Sequence, residues 1–268
     1  MESGMKQFAG TILACFLMAG PGLAAPCGNT AAGFEAWKGA FASEAARAGI
    51  GGRGLAALAD ARYSDETIWA DRNQKSFSYS LERFMQVRGA DTIVSQGRAM
   101  KAQNPAFYQS LERAYGVPAG VLIAIHGMET GFGRFMGDTN LVSATASLAY
   151  DCRRSDFFTG HLLAALELVD RGAISSATVG ARHGELGHTQ FLPGNVVRYG
   201  VDGNGDGRVD MTNLTDAMVS TANFLRQKGW RPGQGYQSGQ SNFRVIEAWN
   251  AASVYQQAIA IMAARIDG

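Results

Sequence analysis

Apolar residues recur along this chain at intervals of three to four, the period of a helix with one buried face, and no run alternates as a half-buried strand would. The first such stretch is 31–46, where Phe34, Trp37, Phe41 and Ala45 share a face. Residues 49–54 (GIGGRG) read as a loop, 56–63 as a short helix, and 64–80 as irregular chain around Asp71, Arg72, Asn73 and Gln74. The pattern is helical again over 81–103, in two pieces broken near Gly89. Asn104 and Pro105 make a helix start, with Phe107, Leu111 and Tyr115 facing inward and Gly116 as the stop. Helices follow over 140–149, from a Ser155 cap with Phe158, Leu162, Ala165, Leu166 and Val169 inside, and over 215–228. Residues 172–195 carry few signals, and 229–242 are Gly-rich and polar. A last helix spans 243–266, anchored by Val245, Ile246, Trp249, Ile259 and Met262. The chain is therefore mainly α.

The stretch 118–133, PAGVLIAIHGMETGFG, stands apart because it is apolar nearly all round, which predicts a buried helix. Pro118 suits its first turn, and Gly131 and Gly133 stop it. Its one carboxylate, Glu129, falls in the last turn. There the anion is disfavoured by desolvation and by the negative end of the helix dipole, and both effects move the group toward the range of a general acid. The same position also suits a structural ion pair, for instance with Arg134.

Residues 1–25 read as a secretory signal: Lys6, an apolar core from Phe8 to Ala19 too short to span a bilayer, then Gly22, Ala24 and Ala25. Cys15 and Cys27 both lack the setting of a lipidation signal, so a soluble exported protein of about 240 residues is expected. The formal net charge of +1 gives no field for nucleic acid, and no second apolar segment suits a membrane. Two cysteines remain after cleavage, Cys27 and Cys152. In an oxidising compartment they either pair, pinning the mature N-terminus to the core, or stay as two thiols.

Asp202, Asn204, Asp206 and Gly207 match the first half of an EF-hand calcium loop, with oxygen donors at alternate positions, a glycine for the sharp turn and Val209 at the apolar position. Arg208 takes the seventh position, where the backbone carbonyl is the ligand. The twelfth residue is Asn213 rather than Glu, so Asp210 or Asp216 would have to help close the site. A solvated acidic turn is the other reading. His183, Glu185 and His188 lack the spacing of a helical zinc site. Arg153 and Arg154 either bind a carboxylate or cap a loop. Glu129 has no carboxylate partner near it in sequence; Asp138 and Glu185 are the candidates once the chain folds. A glycosidase normally needs two carboxylates, and a single acid requires the substrate to supply its own nucleophile.

Taken in order, YGVP (115–118), METGFG (128–133), Gly137, LAYD (148–151) with Arg153 and Arg154, GELGHTQFLP (184–193), the 202–210 loop, ANFL with GW (222–230) and WN (249–250) resemble the lytic murein transglycosylase B family, family 103 of the glycoside hydrolases. The resemblance implies a lysozyme-like core of the goose-type or SLT-like kind over about 104–268, with helices 31–103 packed on it. It also implies cleavage between N-acetylmuramic acid and N-acetylglucosamine in peptidoglycan strands. Glu129 would serve as single acid and base while the muramic C6 hydroxyl attacks C1, leaving a 1,6-anhydro end. Gln190, Asn250, Arg154, Arg153, Tyr150 and Phe224 would meet the glycan or its peptide, and Ca²⁺ would be held by Asp202, Asn204, Asp206, Arg208 and Asp216. The expected setting is the periplasm, with neither nucleic acid nor a stable membrane anchor. The chain departs from the family at His126, where Trp is usual, at Ala181 to Gly187, where the usual serine is absent and Glu185 replaces Ala, and at Phe224 and Trp249. These departures predict an altered cleft. They leave open a water-using muramidase with Glu185 or Asp138 as second carboxylate, and an inactive calcium-stabilised glycan-binding protein.

Overall fold

The computed structural model describes residues 25–73 and 78–268; the expected signal segment, Ala25 excepted, and Gln74 lie outside the described residues. After a short 3-10 turn (Ala31–Gly33) come α1 (Phe34–Arg47), α2 (Gly52–Asp60), α3 (Asp65–Arg72), α4 (Leu81–Val87), α5 (Ala90–Gln103), α6 (Pro105–Tyr115) and α7 (Ala119–Thr130). Then follow β1 (Thr139–Asn140), α8 (Leu141–Tyr150), α9 (Ser155–Arg171), β2 (Val179–Gly180), α10 (Pro193–Tyr199), α11 (Leu214–Gln227), α12 (Phe243–Trp249) and α13 (Ser253–Asp267). The expectation of a mainly helical chain holds; β1 and β2 form one antiparallel pair, Thr139 opposite Gly180. Among the described residues no helix is long and apolar enough to cross a membrane.

Two apolar clusters share α9. One gathers Phe34, Trp37, Phe41, Leu58 and Ile68 from α1–α3 with Val142 and Tyr150 of α8 and Phe158, Leu162 and Leu166 of α9. The other gathers Val121 to Ile125 of α7 with Ile93, Val94, Leu225, Trp230, Ile259 and Met262, and takes Ala165 and Leu168 from α9. As its composition requires, α7 is buried on every side, from Ala119 to Met128. It lies close against α13: a Cβ on Gly120 would stand 2.3 Å from the Ala263 carbonyl oxygen. That approach brings the first turn of α13 beside the last turn of α7.

Several boundaries differ from the pattern-based reading. The 49–54 loop already contains the start of α2, because its first N–H groups are capped from a distance. Asp170, at the end of α9, accepts from the backbone N–H of Gly51 (3.0 Å), Arg53 and Gly54 (3.2 Å each). Those bonds, Gly54 first, hold the Asp170 carboxyl below its ordinary pKa. The irregular 64–80 stretch contains α3, whose N-cap Ser64 accepts from the Thr67 N–H at 3.1 Å. Ser155 does not cap α9; its hydroxyl donates to the Ala149 carbonyl at 2.6 Å. The single helix expected over 243–266 is two, α12 and α13, separated by extended chain at Asn250. Gly89 (φ +66°) breaks α4 from α5 and Gly116 (φ +70°) ends α6, both in the left-handed region as expected.

Cys27 and Cys152 form a disulfide. It joins the segment before α1 to the α8–α9 turn, where the Gly28 N–H also donates to the Tyr150 carbonyl at 2.9 Å.

Candidate active site

Three segments converge on Glu129. The last turn of α7 carries it. The break between α12 and α13 presents Trp249, Asn250 and Tyr255. The turn after β2 presents Ala181, His183, Glu185 and Gln190. With Arg88, Phe191, Phe224 and neighbours, all of these but Tyr255, which is buried behind Glu129, line a cleft of about 340 Å³. A larger groove of about 770 Å³, between α2, the end of α9 and residues 208–212, does not include Glu129.

Within the cleft, Glu129 Oε1 accepts from Tyr255 Oη–H at 2.5 Å and from Trp249 Nε1–H at 3.0 Å. The indole is held in that direction by edge contacts with Phe191 and Phe224, centroids 5.4 and 5.2 Å away. Burial raises the Glu129 pKa. The Tyr255 and Trp249 bonds oppose that rise, as does Arg88, while the like charge of Glu185 adds to it. Both donors meet Oε1, so Oε2 is the oxygen left to carry a proton. The ion pair with Arg134 does not form: that guanidinium donates to Gly131 O and to Gln96 instead.

The other expected residues divide. Gln190, Phe224 and Asn250 line the cleft with Glu129. Gln190 has φ +53°, and its amide donates to the Gly187 carbonyl at 2.8 Å, which fixes the turn. Asn250 Oδ1 accepts from the Ala252 N–H and so starts α13. Arg153 and Arg154 lie on the α8–α9 turn, ion-paired with buried Asp71, and Arg154 stacks on Phe157 and Phe158. They are part-exposed but do not line the cleft. Tyr150 requires correction: it is 4% exposed, packed among Phe34, Trp37 and Tyr63, and its hydroxyl donates to Thr30 O. An aromatic ring on α8 is covered by α1 and Tyr63, so it does not line the cleft with Glu129. Asp138 is exposed and outside the cleft lining, whereas Glu185 is inside it.

His183 and His188 are used separately. His183 Nδ1 stands 3.8 Å from Glu185 Oε1. His188 Nδ1 meets His126 Nε2 at 3.0 Å. His126 is 1% exposed, and burial, with His188 next, lowers its pKa to about 3, so its imidazole is neutral and its contact with His188 binds the 187–191 turn to α7. Thr130 strengthens that joint, its hydroxyl donating to His188 O at 2.7 Å. His126 in place of the usual Trp is thus matched by His188.

In the 202–213 loop the carboxylates turn onto the loop's own N–H groups. Asp202 accepts from Gly205 and Gly207 (2.7 Å each), Asp206 from Arg208 (2.9 Å), and wholly buried Asp216 from Gly203, Asn204 and Asp210 (2.9, 3.1 and 2.9 Å). Among the described residues no three acidic, His or Cys side chains are grouped to hold a metal ion. The loop's carboxylates rest instead on the nearest backbone N–H donors. The donor chemistry still suits a hard cation: it is all oxygen, and Gly205 and Gly207 at φ +78° and +86° allow the wrap.

Sequence reading missed Tyr255 and Arg88. Tyr255 carried a signal in retrospect, a hydroxyl on the otherwise apolar stripe Val254, Ala258, Ile259 and Met262.

Membrane-bound lytic murein transglycosylase B of Escherichia coli is 35% identical over 132 residues, which are 47% of this chain and 37% of that protein. The matched stretch thus spans well under half of that relative. SltB3 from Pseudomonas aeruginosa, crystallised in complex with NAG-anhNAM-pentapeptide, superposes with a TM-score of 0.80 at 28% identity, covering 88% of this chain and 80% of that one. SLT35 of Escherichia coli in complex with calcium shares the fold, with a TM-score of 0.73 at 20% identity over 90% of this chain and 96% of that one. The transglycosylase SLT domain family matches residues 33–240, which include Glu129 and the turn carrying Glu185 and Gln190. This chain belongs to that family.

Proposed function

We propose that this protein is a lytic transglycosylase that cleaves peptidoglycan between N-acetylmuramic acid and N-acetylglucosamine. The observation that carries the reading is the state of Glu129, a carboxyl in a saccharide-sized cleft whose burial favours the acid form and whose Oε1 is fixed by two donors. Protonated Glu129 gives its proton to the glycosidic oxygen as the C1–O4 bond breaks. The C6 hydroxyl of the muramyl sugar closes onto C1, and its proton returns to Glu129. No water enters, and a 1,6-anhydro end remains. Trp249 and Tyr255 stabilise the carboxylate between the two transfers, while Phe224, Gln190 and Asn250 shape the sugar site. Arg153 and Arg154, outside the cleft and paired with Asp71, are assigned to a peptide stem by the motif they share with the family.

The organisation that accompanies this reading is a cleaved signal over 1–25, a lysozyme-like core over about 104–268 and a periplasmic setting. The disulfide is consistent with an oxidising compartment. Calcium would be held by Asp202, Asn204, Asp206, Asp216 and the Arg208 carbonyl, and would supply only rigidity to the wall behind His188. The test for it is a melting temperature that rises with added Ca²⁺ and falls with chelator, lost in Asp202→Ala.

Digestion of purified peptidoglycan, read by mass spectrometry, tests the activity. Anhydro-muropeptides that vanish with Glu129→Gln support it. Reducing-end products, one water heavier, favour a hydrolase, the second reading that Glu185 in the cleft keeps open. Binding without products leaves a glycan-binding protein.

A further inference from the structure

Glu185 is a carboxylate for which the mechanism above has no use. It lines the same cleft as Glu129, and among the described residues no arginine or lysine forms an ion pair with it. His183, from its own turn, stands 3.8 Å away, but burial first and Arg154 next hold that imidazole below its ordinary pKa. The nearby guanidinium groups are engaged: Arg182 pairs with Glu66 of α3, and Arg154 with Asp71. Arg88 is the one arginine or lysine lining the cleft among the described residues. Glu185 Oε2 is buried without a hydrogen-bond partner, an arrangement that disfavours the fold unless another role retains it.

We propose that Glu185 is a positioning carboxylate, whose negative charge holds Glu129 in its protonated form and faces the positive charge that develops at sugar C1 as the glycosidic bond breaks. The inference rests on the lytic transglycosylase reading and adds to it a second, anionic group. Oxocarbenium character makes a fixed negative charge beside C1 favourable in the transition state more than in the ground state. Burial brings Glu185 to about 7, so it ionises near neutrality, while its charge raises Glu129 further. Two carboxylates driven apart in this way are the arrangement that separates an acid from an anion in one site. The pair titrates together, with Arg88 and Arg154 as the opposing cations and His183 as the neutral neighbour.

The experiment is a pH–rate profile of the full chain on peptidoglycan for wild type, Glu185→Gln and Glu185→Asp. At pH 5, where Glu185 is neutral, the loss caused by Glu185→Gln is expected to be smallest. At pH 8 Glu185→Gln is expected to lose at least about tenfold in kcat with KM little changed, and its alkaline limb to begin at lower pH. Glu185→Asp, which keeps the charge, should recover part of the loss. Equal rates at all pH values overturn the proposal, as does a uniform loss at all pH values or a loss confined to KM. A wild type that yields no anhydro products overturns the transglycosylase reading itself. Glu129-dependent products with a Glu185→Gln profile like wild type overturn only the role of Glu185.

Discussion

Replacing Glu185 by Gln should stabilise the fold, and by an amount that depends on pH. In the folded protein burial raises this carboxyl from its ordinary 4.5 to about 7. Below about pH 4.5 both folded and unfolded chains hold the proton, and the carboxyl costs nothing. Between 4.5 and 7 the unfolded chain ionises while the folded one keeps its proton, so stability falls as pH rises; above 7 the full cost is present. That interval, at about 1.4 kcal/mol per pH unit, is on the order of 3 kcal/mol. With the side chain 25% exposed, solvent screening brings the expected cost nearer to about 2 kcal/mol. Gln keeps the shape and an acceptor oxygen but never ionises. Urea unfolding of wild type and Glu185→Gln should therefore give equal midpoints at pH 4 and a mutant more stable by about 2 kcal/mol at pH 8, with unchanged m-values. A difference that is constant across pH, or a mutant less stable at pH 8, would refute the claim that Glu185 is an unneutralised charge. Together with the kinetic profile, the result would identify a residue that trades stability for catalysis.

Three further outcomes follow from the geometry. Tyr255→Phe removes a donor to Glu129 Oε1 that favours the anion, so the Glu129 pKa should rise further and the alkaline limb of activity move to higher pH; a shift to lower pH would contradict the assigned bond. Cys27→Ser opens a link spanning 125 residues and should cost about 2–5 kcal/mol in urea unfolding; an unchanged midpoint would mean that the link does not constrain the unfolded chain. Gly120→Ala forces a methyl onto the Ala263 carbonyl, should cost about 1–3 kcal/mol, and should lower kcat by displacing Tyr255 from Glu129; a loss of stability with kcat intact would uncouple the α7–α13 contact from the site.

The sequence by itself determined the elements whose signals are local. The all-round apolar pattern of 119–128 requires a buried helix wherever it is packed, and left-handed glycines at 89, 116 and 131 end helices without outside help. The exceptional position of Glu129 was legible for the same reason, since a lone carboxylate in such a helix is desolvated by its own neighbours. Gln190, Phe224 and Asn250, named from ordered motifs, line the cleft beside Glu129. What remained illegible depends on partners far along the chain. The N-terminus of α2 is capped by Asp170, more than a hundred residues away, so no local pattern announces it. The break at Asn250 interrupts the apolar stripe with extended backbone, and on either side of it Trp249 and Tyr255 both reach Glu129, a convergence no local pattern announces. Tyr150, read from its motif, lies in the core because α1 covers it. Whether Glu185 or Asp138 shares the cleft was a choice only the tertiary structure decided: both are equally available in sequence, but the 181–185 turn, closed by the Ala181 N–H on the Glu185 carbonyl at 2.9 Å, lines the cleft, while Asp138 stays in solvent.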